Sequence, residues 1–103
     1  MVQDVKEVNF EEQVLDCAKP VFVDFYADWC GPCKAMEPIV KEMAEELPGI
    51  RFCRVDVEQA VNVAAQYRIM SIPTFALFRN GKLIKSVVGA MEKEELLLEI
   101  AGH

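Results

Sequence analysis

The stretch Val21–Lys34, with the sequence VFVDFYADWCGPCK, decides the fold of this chain. Its first part is an apolar run of β-branched and aromatic residues that is long enough for a buried strand and contains one carboxylate, Asp24. Its second part carries Cys30 and Cys33, after which apolar residues recur with the spacing of a helix. The two cysteines are therefore predicted at a strand-to-helix junction, where they can form a small disulfide ring or remain a dithiol.

The beginning of a helix is a favourable position for a reactive sulfur. The first N–H groups of a helix have no partner within it, and the aligned peptide dipoles give this end a partial positive charge. Both effects favour the thiolate of Cys30, which is the form that attacks disulfides. Cys30 is therefore the expected nucleophile. Cys33, one turn further along and expected to be more buried, is the thiol that would resolve a mixed disulfide by attacking Cys30.

Hydrophobic periodicity predicts the other elements. Apolar, β-prone runs indicate five strands: Val2–Val8, Val21–Ala27, Ile50–Val57, Thr74–Phe78 and Leu83–Val88. Helical spacing indicates four helices: one that begins at an Asn9 cap with Glu12 three residues on, one from Cys30 to Pro48-Gly49, then Ala60–Tyr67 and Glu92–Ala101. Asn80-Gly81 is a strong hairpin signal because both residues tolerate positive φ. This order predicts an α/β fold with a parallel core and an antiparallel hairpin.

The helix after Cys30 has one apolar stripe and one polar face. The stripe consists of Met36, Ile39, Val40, Met43 and Leu47. The polar residues are Lys34, Glu37, Lys41, Glu42, Glu45 and Glu46. Pro38 removes a hydrogen bond to the Lys34 carbonyl, which predicts a kink at that point.

Length and charge argue against several classes of protein. At 103 residues the chain is expected to form a single domain, residues 1–103, with one hydrophobic core. A net charge of −6 without a lysine and arginine cluster argues against nucleic-acid binding. No apolar run approaches the ~18 residues of a membrane span. The segment Met1–Glu7 has neither a basic leader nor a long apolar region, so a cytoplasmic location is expected.

The four cysteines allow three interpretations. A secreted disulfide scaffold is disfavoured because only one close pair exists and the hydrophobic fraction of 52% is sufficient for a core. Half of a zinc site would need a second pair of ligands, and the chain offers only Cys17, Cys53 and His103. A redox pair without a metal is favoured. Cys17 and Cys53 are most simply small buried side chains, with a regulatory thiol as the alternative.

Two segments resemble the thioredoxin family. Trp29-Cys30-Gly31-Pro32-Cys33-Lys34, which follows a Val-Asp-Phe-Tyr-Ala strand, is similar to the family's active-site segment. Ser71-Ile72-Pro73-Thr74-Phe75 is similar to its cis-proline loop. Matching features run from Phe10 to the last helix. The resemblance implies a thioredoxin fold, with a central five-stranded mixed β-sheet of order 1-3-2-4-5 flanked by four helices.

The resemblance also implies a function, that of a general protein-disulfide reductase and electron carrier whose redox group is the Cys30–Cys33 disulfide, without a separate cofactor. It implies a monomer that is recharged by a thioredoxin reductase and acts on disulfide-containing target proteins. Gly31-Pro32 between the cysteines is typical of a reductant in this family. Two alternatives remain: an oxidase or isomerase of the same fold, and a binding or structural module whose dithiol is incidental.

Asp24 is the expected proton acceptor of the site. An ionised carboxylate is costly to bury, so its pKa should be raised. An acid with a raised pKa near two sulfurs is suited to take the proton of Cys33 when that thiol attacks. The alternative is a carboxylate at an edge that reaches solvent. Arg54 stands where the family usually has a lysine near this aspartate, and an arginine cannot give up its proton.

The loop at Ile72-Pro73 and an apolar patch are the expected substrate-binding features. The resemblance implies a cis Ile72–Pro73 bond that faces the cysteines, with the Ile72 backbone pairing with an extended substrate; an ordinary trans proline is the alternative. The implied patch consists of Trp29, Gly31, Pro32, Ile72, Pro73, Val88, Gly89 and Ala90. Trp29 could instead belong to the core. Met70 stands where relatives often have a polar or basic residue, which bears on the choice of partner.

Overall fold

A five-stranded mixed β-sheet forms the centre of the structure, a computed structural model that describes residues 1–101. Its strands are β1 Val2–Asp4, β2 Val21–Tyr26, β3 Arg51–Asp56, β4 Thr74–Arg79 and β5 Lys82–Val88. Their order across the sheet is β1-β3-β2-β4-β5. β1 and β2 run parallel to β3, whereas β4 runs antiparallel to β2 and β5. The predicted α/β class and strand order are confirmed.

Four helical segments flank this sheet. The first has two parts, a 3-10 turn at Glu7–Asn9 and a π-helical stretch at Glu11–Leu15. The others are α1 Gly31–Glu46, α2 Val61–Gln66 and α3 Lys93–Ile100. Most predicted boundaries agree with these to within one or two residues. No helix within residues 1–101 is long and apolar enough to cross a membrane.

The first strand and the first helix differ from the sequence predictions. β1 ends at Asp4, not at Val8, because the chain turns into the 3-10 helix instead of continuing along the sheet edge. Asn9 does not cap a following α-helix. Its side-chain oxygen instead accepts a hydrogen bond from the Lys6 backbone N–H, which precedes it, at 2.8 Å. The next stretch is accordingly π-helical with no side-chain cap.

Helices cover both faces of the sheet because successive residues of a strand point to opposite sides. On one face, β2 packs against the first helical segment and α2; the fully buried members include Val21, Val23, Phe25, Val14 and Phe78. On the other face, it packs against α1 and α3; the buried members include Phe22, Met36, Val40, Met43 and Leu96. The predicted apolar stripe of α1 is confirmed, with Ile39 and Leu47 partly buried beside it.

Short polar contacts fix the ends of the elements. Asn80 and Gly81 both have positive φ, at 54° and 78°, as the predicted β4–β5 hairpin requires. The Glu7 carboxylate accepts the N–H groups of Asn62 and Val63 at 2.7 and 3.1 Å and so stabilises the beginning of α2.

The two long helices are also joined to each other. The Lys93 ammonium lies between two carboxylates of α1, Glu42 and Glu46, and its distance to Glu46 Oε2 is 2.6 Å.

Pro38 lies inside α1, which continues beyond it to Glu46. The predicted kink at Pro38 stays a prediction.

We predict that Phe22→Ala lowers the free energy of unfolding by about 3–5 kcal/mol, because it removes a buried ring and leaves a cavity. The ring of Phe22 is fully buried and lies 4.7 Å from the ring of Phe52 and 5.7 Å from that of Phe75, measured between centroids. Chemical denaturation followed by circular dichroism measures the loss. Leu98→Ala is the control, since Leu98 is 77% exposed and its truncation should change stability by less than about 0.5 kcal/mol. Equal losses in the two variants would contradict this assignment of the core.

Candidate active site

Cys30 is the last residue of the short turn, residues 27–30, that joins β2 to α1. Its backbone is extended, with φ −85° and ψ 108°, and it occupies the N-cap position of the helix. The Cys30 N–H donates to the Ala27 carbonyl at 3.2 Å, which fixes the turn after the strand. The Cys33 N–H donates to the Cys30 sulfur at 3.1 Å. Pro32 fits in the first turn because its missing N–H would have had no partner there. The sulfur therefore lies at the positive end of a helix of 16 residues.

Cys30 and Cys33 are joined by a disulfide bond, with their Cα atoms 5.2 Å apart. Both side chains are buried, at 3% and 2% exposure, so burial hardly distinguishes them as nucleophile and resolving thiol. What does distinguish them is position: Cys30 caps the helix and receives an N–H, whereas Cys33 lies one turn inside it.

Asp24 is buried in the middle of β2, with 2% of its surface exposed. Burial raises the pKa of its carboxyl to about 7; the Arg54 charge lowers the pKa and the Glu37 charge raises it. The Oδ1 atom has no hydrogen-bond partner among residues 1–101. The alternative of an edge carboxylate that reaches solvent is wrong, and the expected raised pKa is confirmed.

Arg54 lies opposite Asp24 in the register of β2 and β3. Its guanidinium carbon stands 3.8 Å from the centroid of the Tyr26 ring, a cation–π contact. Its Nη2 atom lies 4.0 Å from Glu37 Oε1 on α1. In the part of the chain that the structure describes, the ion-pair partner of Arg54 is thus Glu37 and not the buried aspartate.

A cavity of about 520 Å³ opens beside this acid. Its lining includes the buried Asp24, the Arg54–Glu37 pair, and Lys41 and Glu45 further along α1. Glu37 was expected only as part of the polar face of the helix. The signal that could have identified it is its spacing, since it stands four residues after Cys33 and therefore on the same side of α1.

The loop before β4 lies against the disulfide. The Ile72–Pro73 peptide bond is cis, so the alternative of a trans proline is wrong. Ile72 packs against the small cluster formed by Ala27, Cys30 and Cys33. The carbonyl of Pro73 accepts the Gly89 N–H at 2.8 Å, which brings the end of β5 to the same loop.

Several of the residues predicted to bind substrate are exposed beside the disulfide. Trp29 is 68% exposed, so the alternative that it belongs to the core is wrong. Val88 is 60% exposed at the end of β5. Gly31, Pro32 and Ala90 are also exposed, Ile72 and Gly89 are half-buried, and Pro73 is buried. Met70, two residues before Ile72, is 89% exposed.

The other two cysteines lie apart from the disulfide cluster. Cys53 is fully buried in β3, and burial raises its pKa to about 11, as expected of an unreactive thiol. Cys17 is half-buried, and its sulfur accepts a contact from Arg51 Nη1 at 3.7 Å. Arg51 is distant in sequence from Cys17, so only the fold brings this cation to the thiol.

No group of three or more His, Cys, Asp or Glu side chains among residues 1–101 could hold a metal ion. Cys17 and Cys53 pack with the core cluster on one face of the sheet, whereas Cys30 and Cys33 form a separate cluster with Ala27. His103, the third residue considered for a zinc site, lies outside the described residues.

Comparisons with known proteins agree with this geometry. The family model described as Thioredoxin matches residues 1–101. The chain is 39% identical to the thioredoxin of Chlamydia trachomatis over 103 residues, which cover 100% of this chain and 99% of the relative. It is 44% identical to the thioredoxin of Acidithiobacillus ferridurans over 93 residues, or 89% and 86% of the two chains.

A plant protein is similar to the same degree. The chloroplastic M-type thioredoxin of Spinacia oleracea is 44% identical over 96 residues, which cover 92% of this chain but 53% of that longer protein. Together with the disulfide at the start of α1, these similarities identify the site as a redox centre for dithiol–disulfide exchange. The chain belongs to the thioredoxin family of protein-disulfide oxidoreductases.

Proposed function

We propose that this chain works in the reducing direction, as a general protein-disulfide reductase and electron carrier. The observation that most supports disulfide exchange at this site is the position of the Cys30 sulfur, which caps α1 and accepts the Cys33 N–H at 3.1 Å. After reduction, the same N–H and the helix dipole stabilise a thiolate at that atom. Thiolate stabilisation alone makes a dithiol pair more oxidising, because it favours the reduced form. The reducing direction is therefore proposed from Gly31-Pro32, the dipeptide that is typical of reductants in this family.

The proposed reaction has two exchange steps. The Cys30 thiolate attacks one sulfur of a target disulfide, so that a Cys30–target disulfide forms and the first target thiolate leaves. Cys33 then loses its proton and attacks the Cys30 sulfur, so that the Cys30–Cys33 disulfide forms and the second target thiolate leaves. The chain's dithiol is oxidised by two electrons and the target disulfide is reduced to two thiols.

Asp24 is the proposed acceptor of the Cys33 proton. It is the buried acid of β2, and its pKa of about 7 lets it take up and release a proton near neutral pH. The cavity beside Asp24 provides a route along which that proton can pass to solvent. Glu37 lines the same cavity and stands one turn after Cys33 on α1, on the same side of that helix.

The partly exposed surface beside the disulfide is the proposed docking surface for targets. It consists of Trp29, Gly31, Pro32, Ile72, Pro73, Val88, Gly89 and Ala90. An apolar surface of this kind accepts different partners because it makes few directional demands. We assign the backbone of Ile72, which packs against the cysteine cluster, to pairing with an extended segment of the target.

The partners follow from the same chemistry. Targets are proteins with accessible disulfides, and a thioredoxin reductase supplies the two electrons that restore the dithiol. We propose that the chain acts as a monomer, needs no cofactor besides its own disulfide, and works in the cytoplasm, where thiols are kept reduced.

We predict that Cys30→Ser lowers the rate of dithiothreitol-driven insulin reduction by at least about 100-fold, because serine cannot form the mixed disulfide. Turbidity of the precipitating insulin B chain measures the rate. Cys33→Ser is the informative companion, since it should still capture one target per molecule as a stable mixed disulfide visible by mass spectrometry. Unchanged insulin reduction by Cys30→Ser would end the reductase proposal.

We predict that Asp24→Asn stabilises the protein most at alkaline pH. The raised pKa of Asp24 means that the folded state holds this proton more tightly than the unfolded state, so stability falls as the group ionises. The variant lacks this cost. Its free energy of unfolding should exceed that of the parent by up to about 4 kcal/mol at about pH 8 and by little at about pH 4.

Denaturant titrations of the oxidised proteins across this pH range measure the difference. The same variant should release the second target thiol more slowly than the parent, because Cys33 loses its proton acceptor. A stability gain that does not change with pH would contradict the assignment of the raised pKa to Asp24.

We predict that Trp29→Ala raises the KM for insulin roughly 5–30-fold, equivalent to about 1–2 kcal/mol of lost docking energy. Its rate with a small aromatic disulfide should stay near that of the parent, because a small substrate needs little of the docking surface. Leu98→Ala removes a similarly exposed apolar side chain from α3 and should leave both reactions unchanged. Equal losses with both substrates would show that Trp29 acts on the chemistry and not on docking.

A further inference from the structure

The guanidinium of Arg54 is a cation close to a buried acid, but its contacts are with other groups. Arg54 is the register partner of Asp24 across β2 and β3. A direct pair between them would hold the Asp24 carboxyl ionised and lower its pKa. Instead the guanidinium lies over the Tyr26 ring at 3.8 Å and faces Glu37 at 4.0 Å. Asp24 Oδ1 has no hydrogen-bond partner in the described range, residues 1–101.

Glu37 stands where it can affect both the cation and the acid. It lies on α1 one turn after Cys33 and lines the cavity together with Asp24 and Arg54. It attracts the Arg54 guanidinium from the helix side while Tyr26 contacts it from the sheet. Its own negative charge also opposes ionisation of Asp24. Both effects act in the same direction on that carboxyl.

We propose that Glu37 is a positioning residue for the resolving step: with the Tyr26 ring it holds the Arg54 guanidinium away from Asp24, so that the Asp24 carboxyl stays available to exchange a proton with Cys33. This inference rests on the proposed role of Asp24 as proton acceptor. It adds that side chains of both α1 and β3 act on the Asp24 carboxyl. One of them, Glu37, touches neither sulfur nor substrate.

Several charged side chains line the cavity around Asp24. The charged side chains that line it with Asp24 are Asp4 of β1, Arg54 of β3, and Glu37, Lys41 and Glu45 of α1. The side of β4 contributes the apolar register partner Phe75. Of these charges, those of Arg54 and Glu37 affect the pKa of Asp24: Arg54 lowers it and Glu37 raises it. Burial is the main cause of the raised pKa of Asp24, and the Arg54–Glu37 pair is the part of the cavity whose charges modify that pKa.

The test is Glu37→Gln in the full chain, which keeps the size of the side chain and removes its charge. Glu37 is exposed in the structure, so the variant should fold like the parent. The pKa of Asp24, read from the carboxyl carbon resonance of labelled aspartate, should fall by about 0.5–1 unit. The resolving step should change in parallel, with its pH midpoint shifted to lower pH by the same amount.

The resolving step is measured with an aromatic disulfide that releases a coloured thiolate. The first release reports attack by Cys30, and the second reports attack by Cys33 on the mixed disulfide. Glu37→Gln should shift the pH profile of the second release and leave that of the first in place. A purely structural effect of Glu37 would slow the steps without moving the midpoint of the second one.

Three further variants complete the design. Glu45→Gln makes the same chemical change on the same helix and cavity, and should leave the pKa of Asp24 unchanged. Arg54→Gln removes the cation and should raise that pKa, opposite to Glu37→Gln. Glu37→Asp keeps the charge and should retain a pKa closer to the parent than Glu37→Gln does.

An unchanged Asp24 pKa in Glu37→Gln, or the same shift in Glu45→Gln, would overturn the inference. The proposed function would survive that result provided Asp24→Asn still slows the second release and Cys30→Ser still abolishes both. If Asp24→Asn leaves the second release unaffected, the proton-acceptor role fails first and the inference fails with it.

Discussion

The geometry of the reactive site depends on one hydrogen bond, from the Cys33 N–H to the Cys30 sulfur. It forms because the turn at residues 27–30 leads from the end of β2 directly to the beginning of α1, so the buried strand and the reactive turn cannot be positioned independently. β2 supplies this position because it is paired on both sides, with β3 and β4, and buried over almost its full length. The sulfur thus follows a strand that is paired on both sides and almost fully buried.

The second constraint is the presence of an acid inside that same strand. Asp24 lies in a run of buried apolar residues and has a pKa of about 7, which means that the fold tolerates an unfavourable ionisation. The arrangement of Arg54 over Tyr26 and beside Glu37 leaves this ionisation only partly compensated. Ionised Asp24 therefore destabilises the fold, and its carboxyl adjoins a cavity of about 520 Å³.

Local patterns predicted most of the fold and the centre of the site, and non-local contacts account for the rest. The strands, the hairpin at Asn80-Gly81 and the cysteine-capped helix each follow from neighbouring residues. Asn9 was misjudged because a cap signal does not say whether the side chain bonds to N–H groups before it or after it. The contacts of Glu37 with Arg54 and of Arg51 with Cys17 join residues far apart in the chain, and no periodicity reports them. The cis-proline loop was predicted from the family resemblance, not from its composition.

Cys30 and Cys33 are almost completely buried, at 3% and 2% exposure, and this burial affects how electrons pass through the molecule. Under the proposed function, an electron donor and an electron acceptor react at the same sulfur, Cys30, so the two cannot use it at once. The two partners must then take turns, and a long-lived complex with either one would delay the other.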